Sequence, residues 1–247
     1  MKPVICSALA LAMLFLAPVA SRAQTAATGG GDHLEWTVQP YLLLPYMDGD
    51  ITVRNQTVAV NSNPGDIFSA LQFGAMLYVE VRKGSWGGMI DGLYMNLEQG
   101  AKQSAAKANA KQGAVEASGF HRFSPVLDVL LGARVNVLNS GIDLPSPGIS
   151  VSATKTWVDP IVGVRLHLPL GESRWSAGVR GDIGGFGIGS SFAYQIYPVV
   201  GYRASKLISL HAAYRLLNMD YDTGSGNDYF RYDMSTFGPE FGLAFHF

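Results

Sequence analysis

Hydrophobic and polar residues alternate along most of this chain with the two-residue period of a β-strand. The clearest run is 127–137, where Leu127, Val129, Leu131, Ala133, Val135 and Val137 alternate with Asp128, Gly132, Arg134 and Asn136. In 156–168, Val158, Val162, Val164, Leu166 and Leu168 alternate with Asp159, Gly163, Arg165 and His167. At the C-terminus Phe237, Pro239, Phe241, Leu243, Phe245 and Phe247 share one parity, and Gly238, Glu240, Gly242, Ala244 and His246 the other. With similar runs at 34–44, 72–82, 86–97, 115–123, 175–184, 192–203 and 207–221, the pattern predicts about ten strands.

Short connections (Lys83-Gly84, Ser124-Pro125, Leu170 to Glu172, Ser205-Lys206) alternate with longer ones. An even strand count with short turns at one end and long loops at the other predicts an all-β fold: a closed antiparallel transmembrane β-barrel of about 10 strands, with 8 or 12 as alternatives. Composition agrees. The chain is 48% hydrophobic and only 15% charged, against about 25% charged in soluble domains. Beyond the N-terminus, that hydrophobicity is spread over strands and never gathered into the run of about 20 apolar residues a membrane helix needs. Trp36, Trp86 and Trp175 fall beside the short-turn ends, and Trp157 falls at the opposite end near Tyr94, Phe192 and Tyr194. Two aromatic girdles are expected.

Four segments break the alternation. Residues 1–23 read as a signal peptide: Lys2, an apolar core from Val4 to Leu16, then Ser21-Arg22-Ala23 before a cleavage at Gln24. Cys6 lies within it, so the mature barrel domain, 24–247, has no cysteine for a disulfide or thiolate site. Residues 24–33 form a Gly/Thr/Ala leader, expected to be mobile. In the insert 45–71, Asp50 to Val53 and Thr57 to Val60 read as a hairpin. Asn63-Pro64-Gly65-Asp66 then reads as a helix start. This insert is a structured extracellular lid or plug, or else an ordinary long loop. Residues 98–116, rich in Ala, Lys and Gln, lack an apolar stripe and read as a solvated extracellular loop.

The parity opposite the aliphatic residues carries the candidate chemistry: Glu80, Asp91, Asp128, Asp159, Asp182 and Glu240, with Arg82, Arg134, Arg165, Arg180, Arg203 and Arg215, and with His167 and His211. Inside a narrow barrel, carboxylates and guanidiniums pair bidentately, because an isolated buried charge is costly. The expectation is a lumen largely plugged by salt bridges. The same residues could instead form a selectivity ring in a narrow channel for small solutes.

Other candidates are weaker. The glycines of 181–189 lie between strands with no helix to hold a phosphate, so bending at the outer rim is expected. Asp220, Asp222, Asn227 and Asp228 offer oxygen ligands without calcium-loop spacing, and no metal or cofactor is expected. Lys102, Lys107 and Lys111 are candidates for lipopolysaccharide phosphates. Eighteen basic residues stand against 19 acidic ones, which gives no electrostatic case for nucleic acid. Of the histidines (His33, His121, His167, His211, His246), none is followed by a serine two residues on. A nucleophile with no base in reach is not activated, so a lipid-modifying enzyme ranks third.

At Trp157-Val-Asp-Pro-Ile-Val-Gly-Val-Arg165 and Gly181-Asp-Ile-Gly-Gly-Phe-Gly-Ile-Gly-Ser190, the sequence resembles a family of proteobacterial outer-membrane β-barrel proteins that remain largely uncharacterised. Tyr214-Arg215, Asp220-Tyr221 and Gly238-Pro239 fit the same style. The resemblance implies fold and location, and no activity. The alternating aromatic C-terminus, with Phe241, Phe245 and Phe247, resembles the closing strand that the barrel-assembly machinery recognises. The expected protein is a monomeric outer-membrane barrel in contact with lipid and lipopolysaccharide, exported through the periplasm, with a structural or binding role at the envelope.

Overall fold

A computed structural model describes residues 33–53, 56–100, 107–144, 149–168 and 170–247. The expected signal peptide, nearly all of the expected leader and Lys102 lie outside the described residues. Twelve strands form one antiparallel sheet: β1 (Glu35–Leu43), β2 (Tyr46–Val53), β3 (Gln56–Ser62), β4 (Leu71–Lys83), β5 (Trp86–Gly100), β6 (Lys107–Ser124), β7 (Leu127–Leu144), β8 (Ile149–Leu168), β9 (Trp175–Gly184), β10 (Phe192–Arg203), β11 (Ile208–Thr223) and β12 (Phe230–His246). Ten of them, β1 and β4 to β12, close into a barrel as β12 pairs back onto β1. The seam runs from Thr37↔His246 to Leu43↔Glu240. Phe247 extends it, exchanging backbone bonds with Trp36 at 2.9 and 3.0 Å.

The remaining two strands are the insert. Pro45 breaks β1, and the chain resumes as β2 on the same partner, from Tyr46↔Phe237 to Val53↔Phe230. At the break, the Leu44 amide donates to the Pro239 carbonyl at 2.9 Å. This approach requires Gly238, since a Cβ there would lie 2.1 Å from the Leu44 carbonyl oxygen. β3 folds back on β2, and α1 (Pro64–Ala70) follows, capped reciprocally by Asn63 and Asp66. The hairpin and the helix start are therefore as expected.

Polarity divides the barrel into two zones. Over most of its height the outward side chains are apolar and exposed (Leu131, Val135, Val158, Val162, Val164, Leu166, Leu210, Phe241), with Leu131 at 71%. Trp36, Trp86 and Trp175 are exposed at the short-turn end. Toward the other end the polarity inverts. On β12, Phe237 and Phe241 face out, but beyond them Phe230, Tyr232 and Met234 are buried inside while Arg231, Asp233 and Ser235 face out. On β11, Leu210 and Tyr214 give way outside to Asn218 and Asp220, while Met219 and Tyr221 turn in. The inversion marks where the strands leave lipid and enter water: a transmembrane barrel exposes apolar groups only to lipid, and its projecting part must bury them. Tyr46 and Phe237 stack at the boundary, 5.6 Å apart and 6° from parallel.

Three expectations need correction. Residues 98–100 and 107–116 are strand, for β5 and β6 pair as far as Gly100↔Lys107, and the rest of the expected loop, 101–106, lies outside the described residues; an alternating ladder in water needs no apolar stripe of its own. β7 and β8 likewise pair up to Leu144↔Ile149, well beyond the runs expected at 127–137 and 156–168. Trp157 is not a girdle residue. It lies inside, 6% exposed, stacked on Tyr221 at 4.3 Å.

Candidate functional site: the barrel lumen

The inward positions fall into three layers. Farthest from the short turns is an apolar cap of Leu138, Trp157, Ala193, Met219, Tyr221, Phe230, Tyr232 and Met234, against which Met47, Ile51 and Val60 of the hairpin pack. Beneath it lies a layer of ion pairs. Below that, a cavity of about 240 Å³ reaches toward the short-turn end.

The ion-pair layer contains three assemblies. In the first, Arg134 on β7 reaches Glu116 at 2.9 Å and Asp182 at 3.0 Å. Arg180 on β9 binds the same two carboxylates, Glu116 by a short contact and Asp182 at 2.9 Å. Gln195 donates to Asp182 at 3.0 Å and Ser118 to Glu116 at 3.2 Å. Two cations and two anions thus alternate, each touching both of the opposite sign.

The second assembly centres on Arg215. Its guanidinium meets Asp91 on β5 at 2.8 Å and Glu240 on β12 at 3.0 Å. Tyr41 donates to Asp91 and Tyr197 to Glu240, each at 2.6 Å. The two rings also flank the guanidinium, at 5.3 and 5.1 Å from their centroids. Desolvated cation–π contacts of this kind add to the ion pairing.

The third holds Asp128, whose side chain is fully buried. Arg122 meets it at 2.7 Å, Arg165 at 2.8 Å and His167 at 2.8 Å. Arg165 extends to Glu80 at 2.5 Å and lies 4.6 Å over the Phe120 ring. Tyr78 donates to Glu80. Some of these bonds run across the lumen. Arg165 (β8) to Glu80 (β4) and Arg215 (β11) to Asp91 (β5) each join strands four places apart around the ten-strand wall.

Ten of the candidate residues are brought together in these assemblies: Glu80, Asp91, Asp128, Arg134, Arg165, His167, Arg180, Asp182, Arg215 and Glu240. Four do not. Arg82 pairs with the exposed Glu35 at the rim. Arg203 is exposed and donates to the Lys206 carbonyl in a turn at 3.0 Å. Both belong to the inward parity, but each lies at its strand's last residue or the one before it, where long side chains reach water. His211 lines the lower cavity without an ion pair among the described residues. Asp159, fully buried, meets no cation among the described residues. Instead the Ser190 amide donates to it at 2.6 Å, the Ser190 hydroxyl at 2.9 Å and the Asn136 amide at 3.0 Å. A carboxylate with enough neutral donors needs no partner charge. These bonds fold the glycine-rich loop of 185–190 against β8, and a Cβ on Gly189 would come within 2.3 Å of the Val158 carbonyl oxygen.

Glu116, Arg122, Tyr41, Tyr78 and Tyr197 are additions the sequence reading missed. Glu116 was hidden by the assignment of its segment to a loop, although its parity with Ser118 and Phe120 is inward. The tyrosines read as neutral. Structure also brings a serine to a histidine, 37 residues apart: Ser209 Oγ lies 2.9 Å from His246 Nε2, and His246 Nδ1 lies 3.2 Å from Thr37 Oγ1. Ser209 is buried, and this chain of bonds staples β11, β12 and β1 at the seam.

No protein-family model and no curated protein matches the sequence. Among solved structures, the outer membrane protease OmpT from Escherichia coli aligns over 88% of this chain and 98% of its own, with 10% identity and a TM-score of 0.49. The attachment invasion locus protein Ail of Yersinia pestis, in complex with the heparin analogue sucrose octasulfate, aligns over 87% and 98%, with 10% identity and a TM-score of 0.44. The translocator domain of the autotransporter NalP from Neisseria meningitidis aligns over 88% and 89%, with 12% identity and a TM-score of 0.38.

Proposed function

We propose that this protein is a monomeric outer-membrane barrel of the bacterial cell envelope whose lumen is closed, serving as a structural or binding element and neither as an open pore nor as an enzyme. One observation carries the reading: guanidinium–carboxylate bonds cross the lumen between strands four places apart, Arg215 to Asp91 and Arg165 to Glu80. A conducting pore of this width would need its charges on the wall with water between them. Here they meet at hydrogen-bonding distance in the centre, under an apolar cap. Ten strands leave little space beyond the side chains.

The apolar outer zone supports the membrane setting, with the short turns in the periplasm and the projecting strands outside the cell. The hairpin β2–β3, through Met47, Ile51 and Val60, acts as the lid. Lipopolysaccharide is the proposed neighbour of the projecting wall, and the barrel-assembly machinery the partner during insertion, through Phe241, Phe245 and Phe247. Planar-bilayer recording of the refolded protein is the test. Silence is the expected result, and a steady ohmic current would overturn the closed-lumen reading in favour of a narrow channel.

A further inference from the structure

The cavity below the ion pairs has the makings of a binding site. Its walls come from β1, β4, β5 and β8 to β12. It exists because small residues stand on the inward parity of β9 and β10, where larger ones would have filled the lumen: Ser176, Gly178, Val199 and Gly201. Gly201 is decisive among them. A Cβ there would lie 2.6 Å from Ser176 Oγ and 3.6 Å from His211 Nε2, so its absence leaves these two polar groups facing a shared space. Gly242 does the same for Gln39, whose amide nitrogen would lie 2.6 Å from an added Cβ.

The charges around the cavity already have partners. Glu80 is held by Arg165, Asp91 and Glu240 by Arg215, and Arg180 by Glu116 and Asp182. An ionic ligand would have to compete with these buried pairs. Apart from Arg180 Nε, which is buried with no partner among the described residues, what remains uncommitted is neutral hydrogen-bonding capacity. Gln39, Ser176 and His211 line the space and make no side-chain hydrogen bond among the described residues. They stand on three different strands, β1, β9 and β11, and Tyr78 and Tyr197 share the lining with them. An amide, a hydroxyl and an imidazole beside tyrosine side chains suit a compact solute with several hydroxyls. The volume, about 240 Å³, is below the range of about 300–1,000 Å³ that holds drug-sized ligands. A single sugar ring is the matching size.

We infer that this half-lumen is a blind pocket, open toward the periplasm, that binds a neutral polyhydroxylated solute of monosaccharide size through Gln39, Ser176 and His211. The inference rests on the closed-lumen reading, because an open lumen would make the same space part of a path.

Equilibrium dialysis of the refolded mature protein with radiolabelled glucose tests it, alongside glucose-driven swelling of liposomes carrying the protein. Saturable binding of one glucose per chain is expected, with no swelling and no displacement by excess inorganic phosphate. Ser176→Tyr, which fills the pocket, and His211→Leu, which removes one hydrogen-bonding group, should each weaken binding by about tenfold or more. Retained heat-modifiable migration shows that each variant is folded. Two variants guard against one that fails to insert. Lack of saturable glucose binding without swelling overturns the pocket and leaves the closed lumen standing. Swelling overturns the closed lumen and the blind pocket with it. Displacement by phosphate, or binding unchanged in both folded variants, overturns the assigned ligand chemistry.

Discussion

Arg215 on β11 holds Asp91 on β5 at 2.8 Å across the lumen, although the two residues are 124 positions apart in the chain. The same guanidinium holds Glu240 at 3.0 Å, so one cation offsets two buried carboxylates. The Glu116–Asp182 pair is different, because both Arg134 and Arg180 bridge it. Removing the two kinds of arginine should therefore have unequal effects.

Arg215→Ala leaves Asp91 and Glu240 with only tyrosine donors, and breaking such a buried pair costs about 3–5 kcal/mol. Arg180→Ala leaves Arg134 still touching both carboxylates, and the loss should be about 1–3 kcal/mol. Urea unfolding of the refolded barrel in detergent measures both. Equal and negligible losses, accompanied by ion conduction, would show that these residues line a hydrated pore.

Asp159 tests a carboxylate that is satisfied without a counter-charge. Asp159→Asn keeps the shape but replaces an acceptor with a donor facing Ser190 and Asn136. The expected cost is about 1–3 kcal/mol, expressed locally as release of the 185–190 loop. Limited proteolysis should then cut beside Phe186, which is already exposed and held at φ 52°, while the barrel stays resistant. A loop as resistant as that of the wild type would contradict the anchoring role.

Phe247 gives a prediction about closure. Its backbone donates to and accepts from Trp36, and its side chain is exposed. Deleting it removes two seam bonds as well as the terminal aromatic. Unassembled protein should accumulate in the periplasm, and Phe245→Asp with Phe247→Asp, which keeps those backbone bonds, should do the same if the side chains are what the assembly machinery reads. Normal heat-modifiable migration of the double variant would sink that role.

Orientation is open to a labelling experiment. An epitope tag at Gly84, in a short turn with free space around it, should react only after the outer membrane is permeabilised. A tag beside Asp228, in the exposed connection between β11 and β12, should react on intact cells. The opposite pattern would invert the barrel.

Much of this architecture was legible in the sequence because side-chain alternation is a local property of an extended backbone. The parity of Leu131 and Val135 against Asp128 and Arg134 marks the two faces of β7 with no knowledge of its neighbours. The cap at Asn63 and Asp66 is equally local, a matter of four consecutive residues. Even the inversion of polarity is written in β12, where apolar residues change from the parity of Phe230, Tyr232 and Met234 to that of Phe237 and Phe241. It is easily missed, because a strand that is apolar inside and a strand that is apolar outside show the same period of two.

Tertiary structure alone decided which inward residues meet. Parity says that Arg215 and Asp91 both face the lumen; only the closure of β12 onto β1 fixes that they face each other. It likewise left Arg203 in water at a strand end and gave Asp159 to the Ser190 loop, although both had the same sequence credentials as Arg134. A side chain's face is set by its own backbone torsions, whereas its partner is set by strand number, register and wall curvature, which belong to the closed sheet as a whole.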